Sequence, residues 1–144
     1  MEIDKQDVDL IVEFHLDSHL GYVAVKSQPE LISIQDLQRL IKYFEEHIAQ
    51  LQENPDSESY TFVTYGLNFQ VQDLAGEVHI NPSNLLQKLP DDGEFTIRFM
   101  VNVGQTNVEA SRTYVGGESV VKLANIHSFT SLLQAVLTKL GCSQ

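Results

Sequence analysis

The sequence predicts an α+β fold, a mainly antiparallel sheet of about six strands with two helices packed on one face. Three observations carry that expectation. Leu37, Ile41, Phe44, Ile48 and Leu51 step by four, three, four, three, which is one apolar stripe on an α-helix. Phe129, Leu132, Leu133, Val136, Leu137 and Leu140 form a second stripe near the C-terminus. Between and before these helices the apolar residues alternate with period two, and the short polar connections suit hairpins.

Val8 to Leu16 alternates Val8, Leu10, Val12, Phe14 and Leu16 against more polar neighbours, as a half-buried strand does. Asp17 to Gly21 reads as a turn, and Tyr22 to Lys26 returns as the second arm of a hairpin. Pro29 ends that pairing. The first helix then runs from residue 34 to 52. Ser33 is its N-cap, Asp36 favours its positive start, and Asn54–Pro55 stops it. Ile34 extends its stripe and Leu40 broadens it.

Tyr60 to Gln72 reads as one long strand, with Gly66 marking a bulge or bend, because thirteen residues at about 3.3 Å each outrun a domain of this size. Asp73 to Gly76 is expected to turn the chain, with Glu77 to Ile80 pairing back. Asn81 to Gly93 is loop-like, with Leu85, Leu86 and Leu89 able to form a short helical turn. Glu94 to Val103 is a core strand carrying Phe95, Ile97, Phe99, Val101 and Val103 on one face. Gly104 to Asn107 turns into a partner strand, Val108 to Val115. Gly116–Gly117 is expected to break that strand, leaving Ser119 to Leu123 as a last short strand or lead-in. His127 or Ser128 then caps the second helix, which ends at Leu140 with Gly141 at C′.

Residues 1–144 suit a single domain. The net charge is −11, from 9 basic and 20 acidic side chains. Such a chain is repelled by nucleic acid and anionic lipid, so neither is an expected partner. The acids are densest at the start, where Glu2, Asp4, Asp7, Asp9, Glu13 and Asp17 face only Lys5. The single cysteine, Cys142, allows no intramolecular disulfide, and the acidic N-terminus is neither a signal nor a transit peptide. No apolar run reaches the roughly 20 residues that span a bilayer. These features suggest a soluble, cytoplasmic protein.

No catalytic residue, cofactor site or metal site is assigned. His15, Asp17 and His19 are the tightest set of possible metal ligands, but they straddle a strand end and a turn, and solvated turn residues are the simpler reading. His47, His79 and His127 read as solvated or hydrogen-bonded histidines. Asp91–Asp92–Gly93 is turn chemistry, and Gly116–Gly117 lacks the strand, helix and Lys of a phosphate loop. The more interesting group is Arg98, Met100, Arg112 and Tyr114, a possible interaction face on the side of the sheet away from the helices. Arg98 and Arg112 there could hold an acidic partner, or pair with Glu94, Glu109 or cross-strand neighbours. Ile11, Tyr22, Phe62 and Met100 are also expected on the outer face, where a shared apolar patch would favour a homodimer or a docked protein.

From about Leu31 onward the layout resembles the WapI-type immunity proteins. The shared points are the helix opening at Ser33 with Ile34 and Leu37, a hairpin GLNFQVQDLAGEV from Gly66 to Val78, and a closing helix, Ser128 to Leu140. The resemblance covers about three quarters of the chain and rests on topology and spacing, so no site residue carries over. It implies a protein that binds and neutralises a toxin domain. The functional expectation is therefore a non-enzymatic, acidic protein-interaction domain. The alternative is a small-ligand binder or enzyme, with a pocket between sheet and helices near His15, His19 or His127.

Overall fold

The computed structural model describes residues 7–64, 66–81, 90–104 and 112–141. Among these are eight strands and two helices: β1 Asp7–Leu10, β2 Glu13–Ser18, β3 Gly21–Lys26, β4 Glu30–Ser33, α1 Ile34–Glu53, β5 Phe62–Val63, β6 Phe69–His79, β7 Asp92–Asn102, β8 Tyr114–Lys122 and α2 Leu123–Lys139. The α+β class and the antiparallel pairing are as expected. The single sheet of about six strands is not: β5-β6-β7-β8 form a four-stranded sheet, while β1-β4 and β2-β3 are separate two-stranded pairs. Cys142, Glu2, Asp4, Lys5, Leu85, Leu86, Leu89, Glu109 and the 105–111 part of the expected turn and return strand lie outside the described residues.

The chemistry of one bend explains the separation. Strand β1 pairs with β4 up to Leu10↔Glu30, and β2 pairs with β3 from Glu13↔Lys26. Ile11 and Val12 thus oppose Ser27, Gln28 and Pro29, a two-against-three mismatch of the kind that bends a ribbon. Pro29 has no N–H to give the ladder. Ser27 closes the gap instead, with its N–H donating to the Val12 carbonyl at 2.8 Å and its hydroxyl accepting from the Val12 N–H at 2.9 Å. The Gln28 N–H then donates to the Asn102 carbonyl at 2.7 Å, tying the bend to the end of β7.

Helix α1 forms as its stripe dictates. Ser33 Oγ accepts from the Asp36 N–H at 3.1 Å, and Ile34, Leu37, Leu40, Ile41, Phe44, Ile48 and Leu51 are all buried. Of these, Leu40, Phe44, Ile48 and Leu51 pack on the inner face of the four-stranded sheet, against Phe62, Phe69, Val71, Phe95, Ile97, Phe99 and Val101. The β2-β3 hairpin leans over the same face, where the Phe14 ring stacks on Phe99 with centroids 4.0 Å apart. A second cluster joins Ile32, Ile34, Leu37 and Ile41 to Leu137 of α2, under Val8 and Leu10 of β1.

Two local assignments exchange places. The segment Tyr60 to Gln72 is not one strand. It is a hairpin, β5 to β6, whose connection includes Leu67 in the left-handed region at φ 62°, with the Leu67 N–H donating to the Thr64 carbonyl at 2.9 Å. The stretch Asp73–Gly76 is not a turn. It is a register irregularity inside β6, which runs on to His79. The cause is a long-range anchor. The buried Glu30 carboxylate accepts from the Thr64 hydroxyl at 2.7 Å, from the Asn68 N–H at 3.3 Å and from the Gly66 N–H. A Cβ on Gly66 would lie 2.6 Å from that carboxylate.

Gly116–Gly117 does not break a strand either. Strand β8 runs straight through both, with Gly116 opposite Met100 and Gly117 opposite Phe99. A Cβ at Gly116 would meet the Phe99 carbonyl oxygen at 2.1 Å, so glycine lets β8 approach β7 closely. Helix α2 begins at Leu123, earlier than expected and without a side-chain cap, and Gly141 takes the left-handed C-terminal position at φ 90°.

Candidate interaction surface

Among the described residues no helix lies on the outer face of the four-stranded sheet, and the predicted group lies around it, but not as one patch. Arg98 is exposed and its Nε donates to Glu118 Oε1 at 2.7 Å, directly across the β7-β8 ladder. The cross-strand ion pair is therefore the use this arginine has. Met100 is 42% exposed beside it. Tyr114 lies at the far end of β8, its hydroxyl donating to the Leu67 carbonyl at 2.8 Å, where it holds the left-handed turn residue. Arg112 precedes β8 and is exposed, on the order of 20 Å along the chain from Glu118 at about 3.3 Å per residue. The four residues do not converge.

The expected apolar patch also separates. Phe62 is 1% exposed, because its pairing with Val71 puts it on the inner face, where its ring meets Tyr43 and Arg39 lies over it at 5.0 Å. Ile11 and Tyr22 are exposed, but on the bent ribbon rather than the main sheet.

The structure does bring other residues together, along the free side of β8. Among the described residues this strand is the last in its sheet, so one row of its backbone N–H and C=O groups has no ladder partner there. Between it and the β2-β3 hairpin lies an open cleft of about 660 Å³. Phe14, Leu16, Val23 and Val25 line the hairpin side, and Val115, Ser119, Val120 and Val121 line the β8 side. The hairpin wall is apolar because its strands alternate: Phe14 faces Val25 and Leu16 faces Val23 across the hairpin. Asp17, Glu118 and Lys122 supply the charges at the cleft. Val115 is 40% exposed and Val120 56% exposed. Hairpin spacing predicted β2 and β3 but not β8 through Gly116–Gly117, and the juxtaposition of the hairpin with β8 depends on the Ser27–Pro29 bend.

His15, His79 and His127 each have a partner. His15 contacts Glu13 at 3.3 Å and the Tyr22 hydroxyl, and His79 pairs with Asp92 at 2.9 Å. His127 Nε2 meets the Pro90 carbonyl at 3.0 Å. Among the described residues, no three His, Cys, Asp or Glu side chains gather as metal ligands.

A buried polar group escaped the sequence reading. His47 is fully buried under α1, its Nε2 donating to the Leu74 carbonyl and its Nδ1 meeting Ser59 Oγ, both at 2.7 Å. Burial holds its pKa below the usual histidine value. The Tyr43 hydroxyl donates to the Tyr60 carbonyl at 2.6 Å and accepts from the Asp73 N–H at 3.0 Å. Burial, and then the nearby Asp73, push the Tyr43 phenol upward. Asp73 itself is 0% exposed, and neither carboxylate oxygen has a hydrogen-bond partner. Burial raises its pKa to about 8. Its signal was parity: Asp73 follows Phe69 and Val71 on the inward side of β6. Ser59 and His47 do not make a hydrolytic dyad, since His47 Nε2 is spent on a backbone carbonyl and the group is closed off by Phe95, whose ring lies 5.0 Å from that of His47.

No protein-family model and no curated protein matches the chain. Among the described residues, no helix is long and apolar enough to cross a membrane.

Proposed function

We propose that this chain is a non-enzymatic interaction domain that takes an extended, basic segment of a partner protein as an added strand along β8. The observation that carries this is the unpaired edge of β8 facing an apolar cleft. Main-chain hydrogen bonds to the edge supply affinity, and side chains that alternate into the cleft supply selectivity. The net charge of −11 favours a basic segment and speeds its encounter. Glycine at 116 and 117 keeps the edge free of side chains at the middle of the strand. The narrower immunity-type role is the case in which that segment belongs to a toxin domain. Of the features behind that resemblance, both helices are present, while Gly66–Val78 forms a turn and a bulged strand.

The test is selection of extended basic peptides from a displayed library, followed by hydrogen exchange on the complex. Slowed exchange at 115–121 and loss of binding in Val23→Glu support the reading. Selected peptides that protect other strands, or bind Val23→Glu equally well, overturn it.

A small ligand in the same cleft is the second reading, favoured by a volume within the roughly 300–1,000 Å³ of ligand sites. It is distinguished by a fragment screen. A compact ligand that saturates the cleft and excludes the peptides supports it.

A further inference from the structure

With strand addition at β8 as the premise, the β7-β8 ladder fixes which groups meet the incoming segment. The ladder is unbroken from Glu94↔Lys122 to Asn102↔Tyr114. One rung further, the Val103 N–H donates to the Thr113 carbonyl at 2.8 Å. Opposed residues of an antiparallel pair alternate between exchanging hydrogen bonds and exchanging none. Counting in twos from 113, Val115, Gly117, Ser119 and Val121 turn their N–H and C=O groups toward β7. Gly116, Glu118 and Val120 turn theirs to the free edge. The Val120 carbonyl accepts from the Ser119 hydroxyl at 3.4 Å, a long bond that an incoming N–H can replace. Side chains follow the same parity. Val115, Gly117, Ser119 and Val121 oppose the buried Val101, Phe99, Ile97 and Phe95, so they share the inner face. Gly117 leaves a gap in that row. A Cβ there would meet the Phe99 ring at 3.5 and 3.6 Å, and Phe99 itself lines the cleft.

We propose that the partner segment lies antiparallel to β8 and sets an aromatic side chain opposite Gly117, where it crosses the glycine and meets the edge of the Phe99 ring. On the free side of β8, Gly117 belongs to a pair that exchanges no hydrogen bonds, the kind with Cα atoms about 4.5 Å apart and side chains closest. At the neighbouring rungs Val115, Ser119 and Val121 fill the space between the incoming strand and β7. At Gly117 no side chain does, and a ring from the segment gains both the gap and a second aromatic to pack on. A row of alternating backbone donors and acceptors calls for a strand rather than a helix or a compact ligand. A second copy of this chain is the poorer occupant: two chains of net charge −11 repel each other, and β8 carries no aromatic residue from Val115 to Lys122. The basic side chains of the segment then take the outward rungs opposite Gly116, Glu118 and Val120, in solvent.

The experiment uses extended basic peptides selected from a displayed library against the native chain, with amide exchange read residue by residue in NMR spectra. In the free protein the amides of Gly116, Glu118 and Val120 should exchange quickly and those of Gly117, Ser119 and Val121 slowly. A bound peptide should slow the first three. Replacing its aromatic residue with Ala should weaken binding about 30-fold to the native chain, but only about 3-fold to Gly117→Ala, whose Cβ fills the gap. Should Gly117→Ala not fold, a nuclear Overhauser contact between the peptide ring and Phe99 decides. Peptides that slow the three amides but tolerate Ala at every aromatic position overturn the aromatic anchor and leave strand addition standing. Peptides that bind without slowing those amides overturn both, as does a library that yields no binder. Slow exchange at the same amides in the native chain alone, growing with protein concentration, would put a second copy on the edge and overturn the proposal as well.

Discussion

Replacing Asp73 with Asn should stabilise the protein by about 2 kcal/mol at neutral pH and destabilise it by about as much in acid, where the native carboxyl is protonated. Asp73 is fully buried and both carboxylate oxygens lack partners, so ionising it in the folded state is costly. Burial raises its pKa from the ordinary carboxyl value of 3.8 to about 8. Because the folded value lies above the unfolded one, its contribution is most favourable below about pH 4 and is lost as the pH climbs toward 8. At pH 7 the difference is worth about 4 kcal/mol, at roughly 1.4 kcal/mol per pKa unit. An Asn amide is still buried without full hydrogen bonding, which returns part of the gain. The expected net is about 2 kcal/mol at pH 7, or roughly 6 °C in melting temperature for a chain of this size. Urea unfolding of the native chain and Asp73→Asn at several pH values between 4 and 8 measures this. The difference between the two curves isolates Asp73 from His47, whose lowered pKa acts the other way: its contribution is present above about pH 6.5 and is lost as the pH falls. A difference that does not change with pH, or Asp73→Asn being the less stable at pH 8, would refute the reasoning. Either would mean the carboxylate is ionised and paired in the folded protein.

Three further outcomes follow from the packing. Gly116→Ala should cost about 3 kcal/mol in urea unfolding, since its Cβ would sit 2.1 Å from the Phe99 carbonyl. Gly117→Ala, which meets only the Phe99 ring at 3.5 Å, should change stability by about 0.5 kcal/mol or less. Glu30→Ala should cost about 3 kcal/mol, because it leaves the Thr64 hydroxyl and the Gly66 and Asn68 N–H groups without their acceptor. Glu30→Gln, which keeps one carbonyl oxygen, should lose about half as much in the same assay. Leu67→Gly should raise the melting temperature by about 3 °C, since the left-handed backbone at φ 62° strains leucine and the side chain is 38% exposed.

What was legible in the sequence was whatever depended on local periodicity. Helix α1 announced itself, and every residue of the stripe is buried, with Tyr43 and His47 added to the buried face. Even the polar members of that face, Tyr43 and His47, sit at helical spacing from Leu40 and Leu51, and Asp73 alternates with Phe69 and Val71. The same periodicity misled wherever a distant group overrode it. Thirteen alternating residues from Tyr60 read as one strand, but Glu30 reaches across from β4 and holds Thr64, Gly66 and Asn68 in the connection. Two adjacent glycines read as a break, but they are the condition for β8 to lie against β7. The expected interaction face of Arg98, Met100, Arg112 and Tyr114 rested on a strand that would bring the two arginines level. The ladder puts Glu118 beside Arg98 instead.

The bend in the N-terminal ribbon links these observations to function. Had β1 and β2 continued as one straight strand, the hairpin would have lain apart from the main sheet or extended it. The two-against-three mismatch at Ile11–Val12 and Ser27–Pro29 instead folds the hairpin over the inner face. Gln28 fastens that bend to Asn102 and Val103 at the end of β7, by bonds of 2.7 Å and 3.0 Å. Beyond that fastening the hairpin is held by the Phe14–Phe99 stack, while its tip stands free, with Leu20 97% exposed. A ribbon fixed at its base and loosely held at its tip is the part of this fold whose opening costs least. Phe14 also meets Phe69, and Leu16 and Val25 pack against the same core, so the base of the hairpin belongs to the core under α1 and only its tip is loosely held. The bend thus supplies a wall beside β8 that is fixed at its base and free at its tip for whatever pairs with that edge.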